Sequence, residues 1–292
     1  MSACTFRPPW PFEMHRFTDL VGTERPPNGW MRPRVWETPA PHRFAGAAWW
    51  SPKETGEPDS PVEVRVMLRP QFKSPALASE LLRELFLEIR NAGFTQVHLV
   101  VGEREVWEAI LTPFGLRWNA SDQLWAVDAV AVSERIQAGA SRWAKLIPAG
   151  WCARPIVDSD WGFITSQSGA AEFLIGPNLE RVRHDLDPEI SSIVQAPSGP
   201  VGALLATRIG MTAALEFLGA APDHRNHAPL ISHLAITRFS RRDHPAALFD
   251  RLVFTTNPAR GGAACALSRR FNGKLIRTYH HFAGCLRVDS AA

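Results

Sequence analysis

The chain is short of several residue types, and each shortage excludes something. Its 292 residues include four cysteines (Cys4, Cys152, Cys265, Cys285), with no CxxC pair and no metal-like spacing. A disulfide framework or thiolate zinc site is therefore not encoded, and a reduced, cytoplasmic setting is the economical expectation. The net charge of +3 is too small to argue for nucleic acid or an anionic membrane surface. The longest apolar run, residues 201–221, is broken by Arg208, Thr212 and Glu216, so no membrane span is expected. The first 25 residues carry Glu13, His15, Arg16, Asp19 and Glu24 where the apolar part of a secretory signal would lie. P-loop, GxGxxG, GxSxG and HExxH patterns are missing, which argues against nucleotide hydrolysis, dinucleotide redox chemistry and serine or zinc hydrolysis. His224 and His227 lie three apart with no cysteine or acidic cluster to complete a ligand set, so no metal is expected. Tyrosine is reduced to one residue, Tyr279.

An apolar content of 45% against 21% charged residues suits two packed cores in a chain of this length. The most informative stretch is residues 212–234. Residues 212–220 are apolar apart from Thr212 and Glu216, as in a strand buried on both faces, and Pro222-Asp223 closes it. An apolar helix begins near His227. Arg225, Asn226 and His227 stand where the backbone turns into that helix, and first-turn N–H groups can receive an anion such as a pyrophosphate. Residues 62–82 repeat this grammar: aligning Pro70 with Pro222 places Lys73 on Arg225, Ala76 on Ala228, Ala78 on Leu230 and Leu82 on Leu234. Each copy is followed by a second strand, residues 97–101 and 251–255, and then a short helix. Two repeats of about 150 residues are expected, each the size of an ordinary domain.

The order strand, P-x-x-[RK]-x-x-small-x-small, apolar helix, strand, short helix resembles the GNAT superfamily of N-acetyltransferases. In that family the acyl-CoA pyrophosphate sits on R/Q-x-x-G-x-G/A, written here as Arg225-x-x-Ala228-x-Leu230 and Lys73-x-x-Ala76-x-Ala78. Neither copy keeps the glycines that let a phosphate approach the backbone, and Pro75 removes one N–H donor from the first. The resemblance implies an α+β (mixed α/β) protein of two GNAT-like units, each a mixed, mostly antiparallel sheet flanked by helices. Residues 1–42, rich in proline, tryptophan and arginine, are expected to wrap over a surface as an arm. Residues 43–147 then form an incomplete unit, with 116–118 paired to 124–132 and a connecting helix over 133–146. Residues 148–292 form the complete unit: a helix from 169 toward 187, a hairpin of 191–195 and 201–208, a helix over 261–270 and a last strand over 274–281. The acyl-CoA site is assigned to this second unit.

The resemblance implies that Leu218, Gly219 and Ala220 offer backbone groups to the pantetheine arm where neighbouring strands splay, Gly219 suiting a bulge. Arg225, Asn226, His227, Ala228 and Leu230 would hold the diphosphate, and Asn257, after the second strand, would also touch the cofactor. Amine attack on a thioester needs a general base. Glu216, the one acid in its apolar strand, is the first candidate, the alternative being a glutamate ion-paired with an arginine. Many family members carry a leaving-group tyrosine about ten residues beyond Asn257, where this chain has Leu267; the analogous residue of the first copy is Leu111. Tyr279 or Cys265 are the remaining candidates, a packed tyrosine with a satisfied hydroxyl being the alternative. The cosubstrate implied is acetyl-CoA or a longer acyl-CoA. Small residues such as Ala203, Ala206, Ala213, Ala220, Ala263 and Ala264 would leave room for more than an acetyl group. The acceptor is an amine on a peptide side chain or a small molecule, as in a resistance acetyltransferase; the competing class is a catalytically inactive GNAT-like scaffold.

Overall fold

The computed structural model describes residues 4–15, 17, 32–39, 43–51, 61–167, 176–238, 249–259 and 263–287. Along the chain come β1 (Thr5–Arg7), β2 (Arg32–Glu37), β3 (Phe44–Ser51), β4 (Val62–Leu68), α1 (Pro75–Asn91), β5 (Gln96–Val101) and α2 (Arg104–Leu111). After these follow β6 (Arg117–Asp128), α3 (Ala129–Ala144), β7 (Cys152–Arg154), α4 (Trp161–Ser166), α5 (Gly176–Asp185), β8 (Ser192–Ala196), β9 (Gly199–Ile209) and β10 (Thr212–Ala220). A 3-10 turn (Pro222–His227) leads to α6 (Ala228–Thr237), β11 (Arg251–Thr256), α7 (Ala263–Arg270) and β12 (Lys274–Cys285).

Local chemistry accounts for most of these. Helix α1 opens on Pro75, whose fixed φ suits a first helical position. Its buried residues Ala78, Leu81, Leu82, Leu85, Phe86 and Ile89 recur at helical spacing, and Gly93 beyond its end has φ 92°. Helix α3 starts four residues before the expected 133 because the Asp128 carboxylate accepts the Ala131 N–H at 2.8 Å. Residues 117–128 are one continuous strand, where a turn separating 116–118 from 124–132 was expected. The expected helix over 169–187 is present from 176 to 185, and residues 168–175 lie outside the described residues.

The chain divides into two units, the first comprising residues 1–121 and 278–292, the second 122–277. The first unit's strand order is β1-β2-β3-β4-β5-β12, antiparallel except for β4 beside β5. That of the second is β6-β11-β10-β9-β8-β7, antiparallel except for β10 beside β11. Each is thus the mixed, mostly antiparallel sheet that the family resemblance implied.

The edge partners are exchanged along the chain. Strand β5 is paired by residues from the far C-terminal end, His280↔Val101 through Cys285↔Gln96. Strand β11 is paired by the middle of the chain, Arg251↔Asp128 through Thr256↔Gln123. The boundary drawn at 147/148 therefore differs from the observed divisions at 121/122 and 277/278, and α3 falls in the second unit. Alternation identifies a strand but carries no information about which sheet receives it. The arm is likewise more than a wrap: β1 and β2 extend the first sheet, Val35 and Trp36 are fully buried, and Arg7 is ion-paired with Glu13 and Glu37 at 2.8 Å.

In the first unit α1 and α2 pack on one sheet face through Leu82, Leu85, Phe86, Ile89, Trp107 and Ile110, against Val64, Leu99 and Phe282. In the second, α3, α6 and α7 cover one face, with Ile136, Ile231, Leu234 and Leu267 against Leu204, Ala213, Leu252 and Phe254. Helices α4 and α5 cover the other through Trp161, Ile164 and Val182 against Ile193, Leu205 and Phe217. His233 of α6 is 2% exposed and stacks on Trp143 of α3 with ring centroids 4.7 Å apart. Burial, then the Arg270 charge, pushes its pKa down to about 4, so it is neutral at pH 7.

Two measurements test this architecture. Phe282 is fully buried among α1 and α2, so Phe282→Ala should destabilise the first unit by about 3–5 kcal/mol. Hydrogen exchange should then quicken over residues 82–89 and β5 while β9 is unchanged; the reverse distribution would contradict the exchanged strand. For His233, protons bind the unfolded chain before the folded one between pH 6.5 and about 4, so stability falls as pH drops through that window. The loss approaches ~3 kcal/mol once the group titrates in both states. His233→Leu should flatten that part of the pH–melting curve, read by circular dichroism.

Candidate functional site

The second unit's two central strands separate before either ends. Strand β10 pairs in parallel with β11 from Thr212↔Arg251 to Leu215↔Phe254 and no further, although β10 continues to Ala220 and β11 to Thr256. On its other side β10 is paired to β9 throughout, with one irregularity: Leu215 opposes Ala206 and Phe217 opposes Leu205, leaving Glu216 as an extra residue. This β-bulge resets the alternation. Ala213, Leu215, Leu218 and Ala220 lie on the α6 side, while Phe217 packs on the α4/α5 side.

A bulge was expected at Gly219 and sits three residues earlier. Gly219 answers a different demand, since a Cβ there would lie 2.4 Å from Phe217 Cζ, whose ring folds back along the strand. Leu218, Gly219 and Ala220 keep their partners Leu204, Ala203 and Gly202 on β9 and have no partner on β11. Their outward edge therefore faces the fork, where the pantetheine contact was expected. Of the small residues expected around an acyl chain, Ala206, Ala213 and Ala220 are on the α6 side and Ala203 is on the opposite face. The side chains of Ala263 and Ala264 lie outside the described residues.

Glu216 is ion-paired, the second of its two expected states. Its Oε1 and Oε2 accept from Arg181 Nη1 and Nη2 of α5 at 3.2 and 3.1 Å, and Oε1 also accepts from Thr207 Oγ1 at 2.9 Å. The Glu216 side chain is 19% exposed and that of Arg181 43%. Neither Arg181 nor Thr207 was singled out in the sequence. The signal available was indirect: an acid in an apolar strand needs a counter-charge, but the one it has is 35 residues away on a separate helix.

Beyond β10, Arg225, Asn226 and His227 are exposed within the 3-10 turn, and the half-buried Trp151 ring lies 5.7 and 5.5 Å from the His224 and His227 rings. Arg225 makes no ion pair among the described residues, whereas its first-unit counterpart Lys73 is held by Glu103 at 2.8 Å. Of the first turn of α6, Ala228 is half-buried, Leu230 is 7% exposed with its side chain in the core, and Pro229 has no N–H to offer. The missing donor at Pro229 is a second loss beside the absent glycines.

Past β11, Asn257 Oδ1 accepts from the Ala259 N–H at 3.1 Å, and the Cys265 thiol lies 3.8 Å from the Asn257 carbonyl oxygen. These two candidates are thus neighbours. Leu267, in the tyrosine's expected place, is 5% exposed in the core. Tyr279 was expected to serve the second unit and is carried instead by the portion of β12 that belongs to the first, a direct result of the strand exchange. Among the described residues no group of three or more metal-ligating side chains converges, and no helix is long and apolar enough to cross a membrane.

No family model and no curated protein matches the chain. Solved structures do. A GCN5-related N-acetyltransferase from Sphaerobacter thermophilus is similar at 15% identity over 97% of this chain and 95% of that one, with a TM-score of 0.64. A tandem GNAT protein from the clavulanic acid biosynthesis pathway is similar at 12% identity over 97% and 98%, with a TM-score of 0.65. A glucosamine N-acetyltransferase region of a fungal multi-domain GH3 beta-N-acetylglucosaminidase is similar at 12% identity over 97% of this chain and 38% of that one, with a TM-score of 0.66. At these identities the likeness is one of fold alone: the chain shares the fold of these GNAT structures, one of which is a tandem GNAT protein.

Proposed function

We propose that the second unit is an acyl-CoA-dependent N-acyltransferase that moves an acetyl or longer acyl group to a primary amine, on a peptide side chain or a small molecule, by direct attack on the thioester. The reading rests on the fork that opens after Leu215, with an acid at its vertex and, at the following turn, an exposed cation that makes no ion pair among the described residues. When bound, the thioester supplies the activated acyl group. The chain's own residues do the rest. Arg225, with the turn formed by Asn226, His227, Ala228 and Leu230, holds the diphosphate. The outward backbone edge of Leu218, Gly219 and Ala220 orients the arm and gives an N–H to the carbonyl oxygen, and Asn257 borders the same fork. Glu216 takes the proton of the incoming amine, and the Cys265 thiol beside Asn257 returns one to the leaving sulfur.

A second reading, a catalytically inactive GNAT-like binding or scaffold protein, is favoured by two particular observations. Pro229 removes a donor from the helix start, and Leu267 stands buried where an acid would be. A resistance-type acetyltransferase differs from the first reading only in its acceptor.

Thermal melting with CoA separates these. A ligand at about a hundred times its dissociation constant raises stability by ~2.7 kcal/mol, and Arg225→Ala should remove most of that shift. Intact-mass analysis of amine acceptors with acetyl-CoA and decanoyl-CoA should then reveal an acylated product. A protein that neither shifts with CoA nor acylates anything is a scaffold.

A further inference from the structure

The bulge at Glu216, one residue beyond the last β10–β11 pair, places two opposite charges side by side. The Arg181 guanidinium spans both Glu216 oxygens, at 3.2 and 3.1 Å, and Thr207 Oγ1 fixes one of them at 2.9 Å. The carboxylate is held from below by β9 and the guanidinium reaches it from α5, with 43% of the arginine side chain open to solvent. A ligand therefore reaches the pair from the arginine side, which is the more exposed of the two.

What can open it productively is limited by charge. A simple amine bound as its ammonium engages only the Glu216 half of the pair. A molecule with ammonium and carboxylate two bonds apart replaces both halves of the pair at once, the ammonium on Glu216 and the carboxylate on Arg181. We propose that the acceptor of this site is a zwitterionic amine of the α-amino acid type, read by the Arg181–Glu216 pair, which rests on the acyltransferase reading of the second unit.

The chemistry balances with the groups named. The ammonium gives one proton to the Glu216 carboxylate, and the resulting amine attacks the thioester carbonyl carbon. The C–N bond forms as the C–S bond breaks, the nitrogen loses its second proton as the sulfur leaves protonated, and Glu216 releases its proton to water. Glu216 is the acid–base group and Arg181 a specificity-determining residue.

The test compares matched acceptors on the full chain: L-phenylalanine, L-phenylalaninamide and phenethylamine, with the other common L-α-amino acids alongside. Binding is read by saturation-transfer NMR, and turnover by thiol release from acetyl-CoA and decanoyl-CoA. Amino acids should exceed their amides and decarboxylated amines by about tenfold or more in kcat/KM. Arg181→Gln should collapse that ratio toward one, and Arg181→Lys should restore some of it; melting curves establish that both variants fold. Equal handling of all three acceptor classes by the wild type, or a ratio unmoved in Arg181→Gln, overturns the inference. If CoA binds and no amino acid does, the inference falls while the acyltransferase reading stands. If amino acids bind through Arg181 and CoA does not bind, the reverse holds.

Discussion

Each unit is built around one parallel strand pair that is short. In the first, pairing runs from Val62↔Val97 to Arg65↔Val100; in the second, from Thr212↔Arg251 to Leu215↔Phe254. Parallel neighbours need a crossover, and α1 and α6 supply it by packing their apolar stripes on the sheet they have just left. The helix must therefore begin close to where the strand ends, and both units meet that with proline: Pro70 and Pro222 each open a 3-10 turn directly after the strand. The fork, the turn and the helix start follow from that single constraint.

The units differ in what they do with it. Strand β3 pairs with β4 in unbroken register from Gly46↔Leu68 to Ser51↔Glu63, so the first unit's fork has no bulge. Its cation, Lys73, is neutralised by Glu103. The second unit has the bulge, an acid at the bulge, and an exposed cation at the turn. The proposal of acyl-transfer chemistry in the second unit rests on this contrast rather than on completeness along the sequence, because neither unit is complete in chain order.

What the sequence made legible was local. Strand β10 occupies the expected residues 212–220, and α1 carries the expected apolar face, because alternation, helical spacing and proline all act within a few residues. The alignment of Pro70 with Pro222 holds for the same reason. What was hidden depends on distant partners. The bulge went to Glu216 because Phe217 must join the core formed with Trp161 and Leu205, a demand set by helices far along the chain. Arg181 was one of many arginines until α5 brought it to Glu216. Tyr279 changed units because β12 did.

The exchanged strand raises the question of how β5 selects a partner about 180 residues away with a fixed register; the His98–His281 separation alone is 183. Successive residues of β12 face opposite sides, and the two sides want different chemistry. Phe282 enters the α1/α2 core, while His281 lies on the other face, stacked on His98 with a 3.0 Å hydrogen bond between their rings. His280, on the Phe282 side, is hydrogen-bonded to Ser121 at 2.7 Å, and burial, then the charges of Arg104 and His281, lowers its pKa and keeps the imidazole neutral there. A slip of one residue would drive an imidazole into the apolar core, take Phe282 out of it and break both histidine contacts. Apolar burial thus selects the face and the histidine pairs select the register, which is why a strand so remote in sequence can be specified by only a few residues.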